Sequence, residues 1–131
     1  MKILRVGFVG TRTSKVEETT SFFGDILGLD VLRADPSWSI LQLPTGRFDF
    51  FEVYGPEFDD ERLAPSEEPL FVAFTVEDLE DARSEIVEAG AEVGDVVWAK
   101  DAFGDPDLEG FGWFFFRAPD DRTYVIQQVP E

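Results

Sequence analysis

Residues 38–47 read WSILQLPTGR, and residues 113–122 read WFFFRAPDDR. Both contain the pattern W-x5-P-x2-R, so Trp38, Pro44 and Arg47 fall on Trp113, Pro119 and Arg122 at an offset of 75. Upstream, at an offset of 63, Phe8-Val9 falls on Phe71-Val72 and Val16 falls on Leu79. Self-similarity at a fixed spacing marks a duplicated supersecondary unit. The offset grows by 12 between the two matches, which requires an insertion in the second copy. Only the stretch 99–110, AKDAFGDPDLEG, is free to hold it.

Working outward from the repeat, each copy reads as β-α-β-β-β. Residues 5–11 form a buried strand. Ser14 then opens a helix with Glu17 three residues on, the spacing of a capping box. Val16, Thr20, Phe23 and Leu27 recur at helical spacing, and Gly28 ends the helix where a positive φ is needed. Strands follow at 29–34, 38–43 and 47–54, separated by turns at Asp35-Pro36 and Pro44-Thr45-Gly46. The segment 55–69, GPEFDDERLAPSEEP, carries three prolines and no apolar period, and reads as a linker. The chain is then one domain over 1–131, built of a unit at 1–56, a linker at 57–69 and a unit at 70–131. In the second unit, 70–76 is a strand and 78–89 a helix with Leu79, Ala82 and Ile86 on its apolar face, stopped by Gly90. Strands follow near 92–99, 111–117 and 123–129. Phe114, Phe115 and Phe116 are consecutive, so their strand is apolar on both faces.

Composition narrows the chemistry. The 131 residues include neither His nor Cys, which excludes histidine bases, Ser-His-Asp triads, cysteine nucleophiles, zinc fingers and disulfides. The 11 Lys+Arg against 28 Asp+Glu give −17, a balance that repels nucleic acid and anionic membranes. Residues 1–65 carry 7 basic and 11 acidic side chains (−4), and residues 66–131 carry 4 and 17 (−13). With no basic-then-apolar leader and no apolar run near ~18 residues, the expectation is a cytoplasmic protein with neither a nucleic-acid nor a membrane partner. The 14 Phe must be buried or line a cavity.

This pattern resembles the vicinal oxygen chelate superfamily, which holds glyoxalase I, extradiol dioxygenases, fosfomycin-resistance enzymes and bleomycin-resistance proteins. Phe22-Phe23 with Ile26-Leu27-Gly28-Leu29 match its helix end. Phe71-Val72-Ala73-Phe74 with Val76, Asp78 and Leu79 match the opening of its second unit. Arg117-Ala118-Pro119-Asp120-Asp121-Arg122 resembles its final R-D-P-D-G-N turn. The resemblance implies an α+β fold of two tandem β-α-β-β-β units forming a cup-shaped mixed sheet around a small-molecule cavity. It also implies a homodimer, and metal ligands on the first and last strand of each unit, commonly His and Glu. Those four positions fall on Phe8, Phe50, Phe71 and Val125. None carries a donor atom, so no metal or other cofactor is expected.

Two readings of the Phe8, Phe50, Phe71 and Val125 set stay open: plain apolar packing, or an aromatic floor for a planar ligand. Trp38, Trp113 and Phe115 extend that wall if they share its face, which alternation does not decide. Glu52 lies two residues from Phe50 and so faces the same side of its strand. Pointing into an aromatic cup, it would be a general base or an anchor for a cation; at an edge it would be an ordinary carboxylate. Gln127 and Gln128 offer amide groups, one inward and one outward. Asp101, Asp105, Asp107 and Glu109 belong to the insertion, read as a solvated loop, with Phe103 and Leu108 available as a lid. The leading functional expectation is a metal-free binding protein for an aromatic or cationic small molecule. The alternative is a lyase, isomerase or dioxygenase type enzyme of the superfamily, using Glu52 as base or residual ligand.

Overall fold

A computed structural model describes residues 1–58 and 70–130. The linker expected at 57–69 therefore lies, beyond residue 58, outside the described residues. Two compact bodies are present. Among the described residues one comprises 7–58 with 70–72, and the other 1–6 with 73–130. The elements run β1 (Ile3–Arg12), α1 (Val16–Ser21), β2 (Asp30–Ala34), β3 (Trp38–Gln42), β4 (Phe50–Tyr54), β5 (Leu70–Val76), α2 (Leu79–Glu88), β6 (Val97–Trp98), α3 (Ala99–Phe103), β7 (Gly112–Arg117) and β8 (Thr123–Gln128).

The duplicated unit appears as duplicated topology. The first copy orders its strands β2-β3-β4-β1 and the second β6-β7-β8-β5. In each, the first strand pairs parallel with the last, β1 with β4 and β5 with β8, and the other pairs are antiparallel. The class is α+β with a mixed sheet, as the resemblance implied. None of the helices is long and apolar enough to cross a membrane, among the described residues.

In the first body the core is Val16, Leu41 and Val53, with Phe23, Leu29 and Phe51 packed around them. The rings of Phe23 and Phe51 stand 4.3 Å apart. The start of α1 differs from the capping box expected at Ser14. Lys15 is the N-cap, one residue later, so Glu17 falls one position short of closing the box. Thr13 Oγ1 accepts from the Lys15 N–H instead. The helix widens into a π turn over Phe22–Ile26, closed by the Leu27 N–H on the Phe22 carbonyl. Gly28, at φ 77°, then lets the Leu29 N–H reach the Phe23 carbonyl. That bond, from residue 29 back to residue 23, closes the helix end, a stop that glycine permits without strain. β1 is buried only from Gly7 onward; its first four residues are exposed.

The second body packs α2 on β5, β7 and β8 through Val76, Leu79, Ala82, Ile86, Phe114 and Ile126. Asp78 caps α2, its side chain accepting from the Asp81 N–H. Gln128 adds a second tie, its Oε1 accepting from the Leu79 N–H. The strand expected near 92–99 shrinks to a single bridge, Val93 with Phe116, and the two residues of β6. The insertion is solvated as expected, with Lys100 to Asp107 exposed, but it is structured rather than a plain loop. Ala99 is fully buried and its N–H bonds the Phe111 carbonyl, which anchors α3. Asp105 then caps a 3-10 turn at Pro106–Leu108. Its composition hid these devices, because alanine and a capping aspartate look like any polar loop out of context.

Gly112 faces Trp98 across the β6–β7 pair, and a Cβ there would meet the Trp98 ring at 2.5 Å. Trp98 packs against the α2 core, and the Val97 backbone carbonyl lies 3.0 Å from the same Cβ position. Gly112→Ala is therefore expected to cost about 1–3 kcal/mol by overpacking. Urea unfolding followed by tryptophan emission measures it, with the midpoint falling and the slope unchanged.

Candidate functional site

Alternation along strands sends every second side chain to one face, and register partners share that face. In the first body this gives three rows. Phe8, Phe50 and Gln42 lie abreast, then Gly10, Glu52 and Ile40, then Arg12, Tyr54 and Trp38. The opposite face carries Leu41, Phe51 and Val53 against α1. Phe8, Phe50, Glu52 and Trp38, which the sequence named separately, are thus brought onto one surface. Glu52 sits in the middle row, and its β1 neighbour Gly10 has no side chain to crowd it.

Glu52 is only 9% exposed. The Trp38 Nε1–H donates to its Oε1 at 3.2 Å, and the Tyr54 side chain also hydrogen-bonds the carboxylate. Burial pushes its pKa up from 4.5 to about 7, against the downward pull of those two hydrogen bonds. The desolvation of a carboxylate among aromatic rings outweighs two neutral donors. Phe58 packs over both partners, 5.4 Å from Trp38 and 4.9 Å from Tyr54 between ring centroids. Arg12 on the same face directs its guanidinium to the carbonyls of Gly55 and Phe58 at 3.1 and 2.8 Å. Arg33 lies 4.4 Å over the Trp38 ring, so that ring already attracts a cation. Gln42 Nε2 donates to the carbonyls of Leu43, Gly46 and Asp49 and thereby fixes the turn that feeds β4.

In the second body the equivalent face holds the rows Ala73, Val125, Phe115 and Thr75, Gln127, Trp113. Phe114 and Phe116 go to the α2 side. The structure so decides the alternation left open for the three phenylalanines: Trp113 and Phe115 share a face with Val125. Phe71 belongs to β5. The insertion reaches this face, with Phe103 6.3 Å and Phe111 5.4 Å from the Trp113 ring. Gln127 points inward and Gln128 ties α2 and Gly110, which separates the roles of the two amides.

The metal implied by the resemblance does not fit these residues. The positions that the resemblance implies for its ligands hold Phe8 and Phe50 in one unit and Phe71 and Val125 in the other, and a divalent ion needs oxygen, nitrogen or sulfur donors. Among the described residues no three carboxylates gather closely enough to hold an ion, the acidic insertion included. In the three rows of β1, β3 and β4, Glu52 is the one carboxylate.

The raised Glu52 pKa makes folding stability depend on pH with a definite sign. Unfolded, the carboxyl loses its proton near pH 4.5; folded, it keeps it to about pH 7. Between those values the folded state binds the extra proton, so this contribution is complete below 4.5 and is lost as pH rises through 7. At about 1.4 kcal/mol per pH unit the interval amounts to about 3 kcal/mol. Glu52→Gln, which mimics the neutral form at every pH, should match the parent at pH 4.5 and exceed it by about 3 kcal/mol at pH 8. Parallel urea titrations of the two proteins measure that difference.

Known proteins of similar structure share this topology. The chain overlays on a Mn(II)-bound glyoxalase from Novosphingobium aromaticivorans with a TM-score of 0.69 at 14% identity, covering 99% of this chain and 42% of that one. An extradiol ring-cleaving dioxygenase from B. fuscum gives 0.68 at 18% identity, covering 98% and 34%. A glyoxalase/bleomycin resistance protein/dioxygenase superfamily member from Vibrio splendidus 12B01 gives 0.57 at 18%, covering 94% and 97%. At such identities the likeness is one of fold alone. No curated protein sequence matches the chain. The sequence model of one family does, over residues 5–120. With a β-α-β-β-β topology occurring twice and a sequence match across most of its length, the chain belongs to the Glyoxalase/Bleomycin resistance protein/Dioxygenase superfamily.

Proposed function

We propose that this is a metal-free small-molecule binding protein of its superfamily, taking an aromatic, cationic ligand on the face built by β1, β3 and β4. The observation that carries this reading is Glu52, a nearly buried carboxylate set among Phe8, Phe50, Ile40, Trp38 and Tyr54. An isolated carboxylate is costly there, and it relieves the cost by holding a proton. A ligand cation would do the same more strongly, by pairing with the ionised form while its ring lies on the aromatic surface. The overall charge of −17 favours the encounter.

Binding of a cation then competes with the proton on Glu52. Affinity for a quaternary ammonium or aromatic amine should rise about tenfold per pH unit up to about pH 7 and level off above it. Isothermal titration of aryl-trimethylammonium compounds at pH 6 and pH 8 reads this directly. At pH 6 the heat should also vary with the ionisation enthalpy of the buffer, because a proton leaves on binding. Glu52→Gln should lose at least about tenfold in affinity at pH 8 and lose the pH dependence. Equal affinity for cationic and neutral isosteres in the parent protein would overturn the reading.

A second reading is favoured by the same pKa. A carboxylate titrating near neutrality, held by Trp38 and Tyr54, is suited to abstract a proton as a general base. On that reading the protein is a lyase, isomerase or dioxygenase type enzyme of the superfamily. Turnover would follow the ionised form of Glu52, rising to a plateau above about pH 7. Glu52→Gln should abolish turnover while Glu52→Asp retains part of it. Full turnover in Glu52→Gln rejects catalysis by this residue.

A further inference from the structure

The surface that carries Glu52 is covered in this structure by a ring of the chain itself. β4 ends at Tyr54, and the next four residues, Gly55-Pro56-Glu57-Phe58, turn back over the face. The Phe58 N–H donates to the Gly55 carbonyl at 3.2 Å, a β-turn with proline at its second position, where its fixed φ is favoured. Gly55 anchors the turn. Its N–H bonds the Ser37 carbonyl at 2.7 Å, and a Cβ would crowd that same oxygen at 3.3 Å. The turn delivers Phe58 against Trp38 and Tyr54, the two side chains bonded to Glu52, with ring planes tilted by 35° and 33°. Arg12 Nη1 reaches the carbonyls of Gly55, Pro56 and Phe58 at 3.1, 3.4 and 2.8 Å, so one guanidinium binds the whole turn. Yet residues 55–58 belong to no strand or helix, Pro56 and Glu57 are exposed, and Phe58 is only half-buried. A turn held by ring contacts and one side chain opens far more readily than the strands beneath it.

We propose that Phe58 is a latch: it takes the place of a ligand's ring on the Trp38–Tyr54 surface and must swing out before a ligand binds. The latch rests on the ligand-binding reading of this face and adds the step that controls entry. Gly55 is the fixed hinge, the exposed Pro56-Glu57 pair is the arm, and Arg12 is the catch. The rings of Phe58 and of a ligand seek the same contact, so the closed chain and the ligand compete. Apparent affinity then falls in proportion to the fraction of chains whose latch is open. Closure also accounts for a ligand-binding carboxylate that is only 9% exposed, since opening uncovers the two rings bonded to it.

Two variants open the latch by different routes. Phe58→Ala removes the ring, whereas Arg12→Lys keeps the ring and the charge but loses the guanidinium that reaches three carbonyls. Hydrogen exchange of the Trp38 Nε1–H, followed by NMR on the full ¹⁵N-labelled chain, reads opening with no ligand present. Both variants should speed that exchange at least about tenfold while keeping the amide spectrum of the folded chain. Phenyltrimethylammonium and its neutral isostere tert-butylbenzene are then titrated at pH 8. Each variant should bind both compounds at least about threefold more tightly than the parent does. Equal affinity for the two compounds together with that gain would sink the cation reading and support the latch. Should Phe58→Ala fail to fold, Arg12→Lys alone decides. Weaker binding in Phe58→Ala would make Phe58 a wall of the site, and unchanged exchange or unchanged affinity would make it ordinary packing; each overturns the proposal.

Discussion

The parallel pairing of β1 with β4, Phe8 against Phe50, is the constraint on which the first body depends. It puts Glu52 opposite Gly10 on the aromatic face and Val53 and Phe51 on the α1 side. Because side chains alternate with a period of two, a slip of one residue would exchange those faces completely. Glu52 would then be driven against Val16 and Leu41, and Val53 would be left on the other side. The apolar core beneath α1 therefore fixes where the carboxylate points. The turn before β4, tied by Gln42 to the carbonyls of Leu43, Gly46 and Asp49, holds the same register from the loop side.

The two faces then carry two different unresolved polar groups. In the first body a carboxylate among rings stays protonated to about pH 7, and its hydrogen bonds come from Trp38 and Tyr54. In the second body a neutral amide has one end satisfied by Thr75 and the other unpaired. Packing alone would have favoured apolar residues at both places. Positions where local stability is given up while the surrounding core remains well packed are where function is sought. The positions that the resemblance implies for metal ligands, Phe8, Phe50, Phe71 and Val125, are apolar as well.

Much of the fold was legible in the residues. The W-x5-P-x2-R repeat announced the duplicated topology, and Leu79, Ala82 and Ile86 marked the buried face of α2. Gly28 and Gly90 both take positive φ at their helix ends. Misreadings occurred where a local signal had a close competitor. Ser14 and Glu17 have the spacing of a capping box, but α1 starts one residue later, with Thr13 bonding the backbone ahead of it. Residues 92–99 looked like a strand by composition, yet only Val97–Trp98 and a single bridge at Val93 pair. The insertion is solvated as it looked, but nothing local reveals that Ala99 will be buried and anchor a short helix. Asp121 takes φ 66° where the family turn carries glycine, a strain that aspartate bears better than most residues.

The sequence by itself determined that histidine and cysteine play no part and that the unit would be duplicated. These follow from residue identity and spacing, which need no coordinates. Tertiary structure alone decided which face Trp38, Trp113 and Phe115 would join, since consecutive apolar residues carry no alternation to read. It also decided that Glu52 is buried rather than at an edge, and that of two adjacent glutamines one ties α2 while the other is left with an unpaired oxygen. Burial and hydrogen-bond partners are properties of neighbours distant in sequence, such as Thr75 and Gln127, 52 positions apart. Register, not composition, sets them.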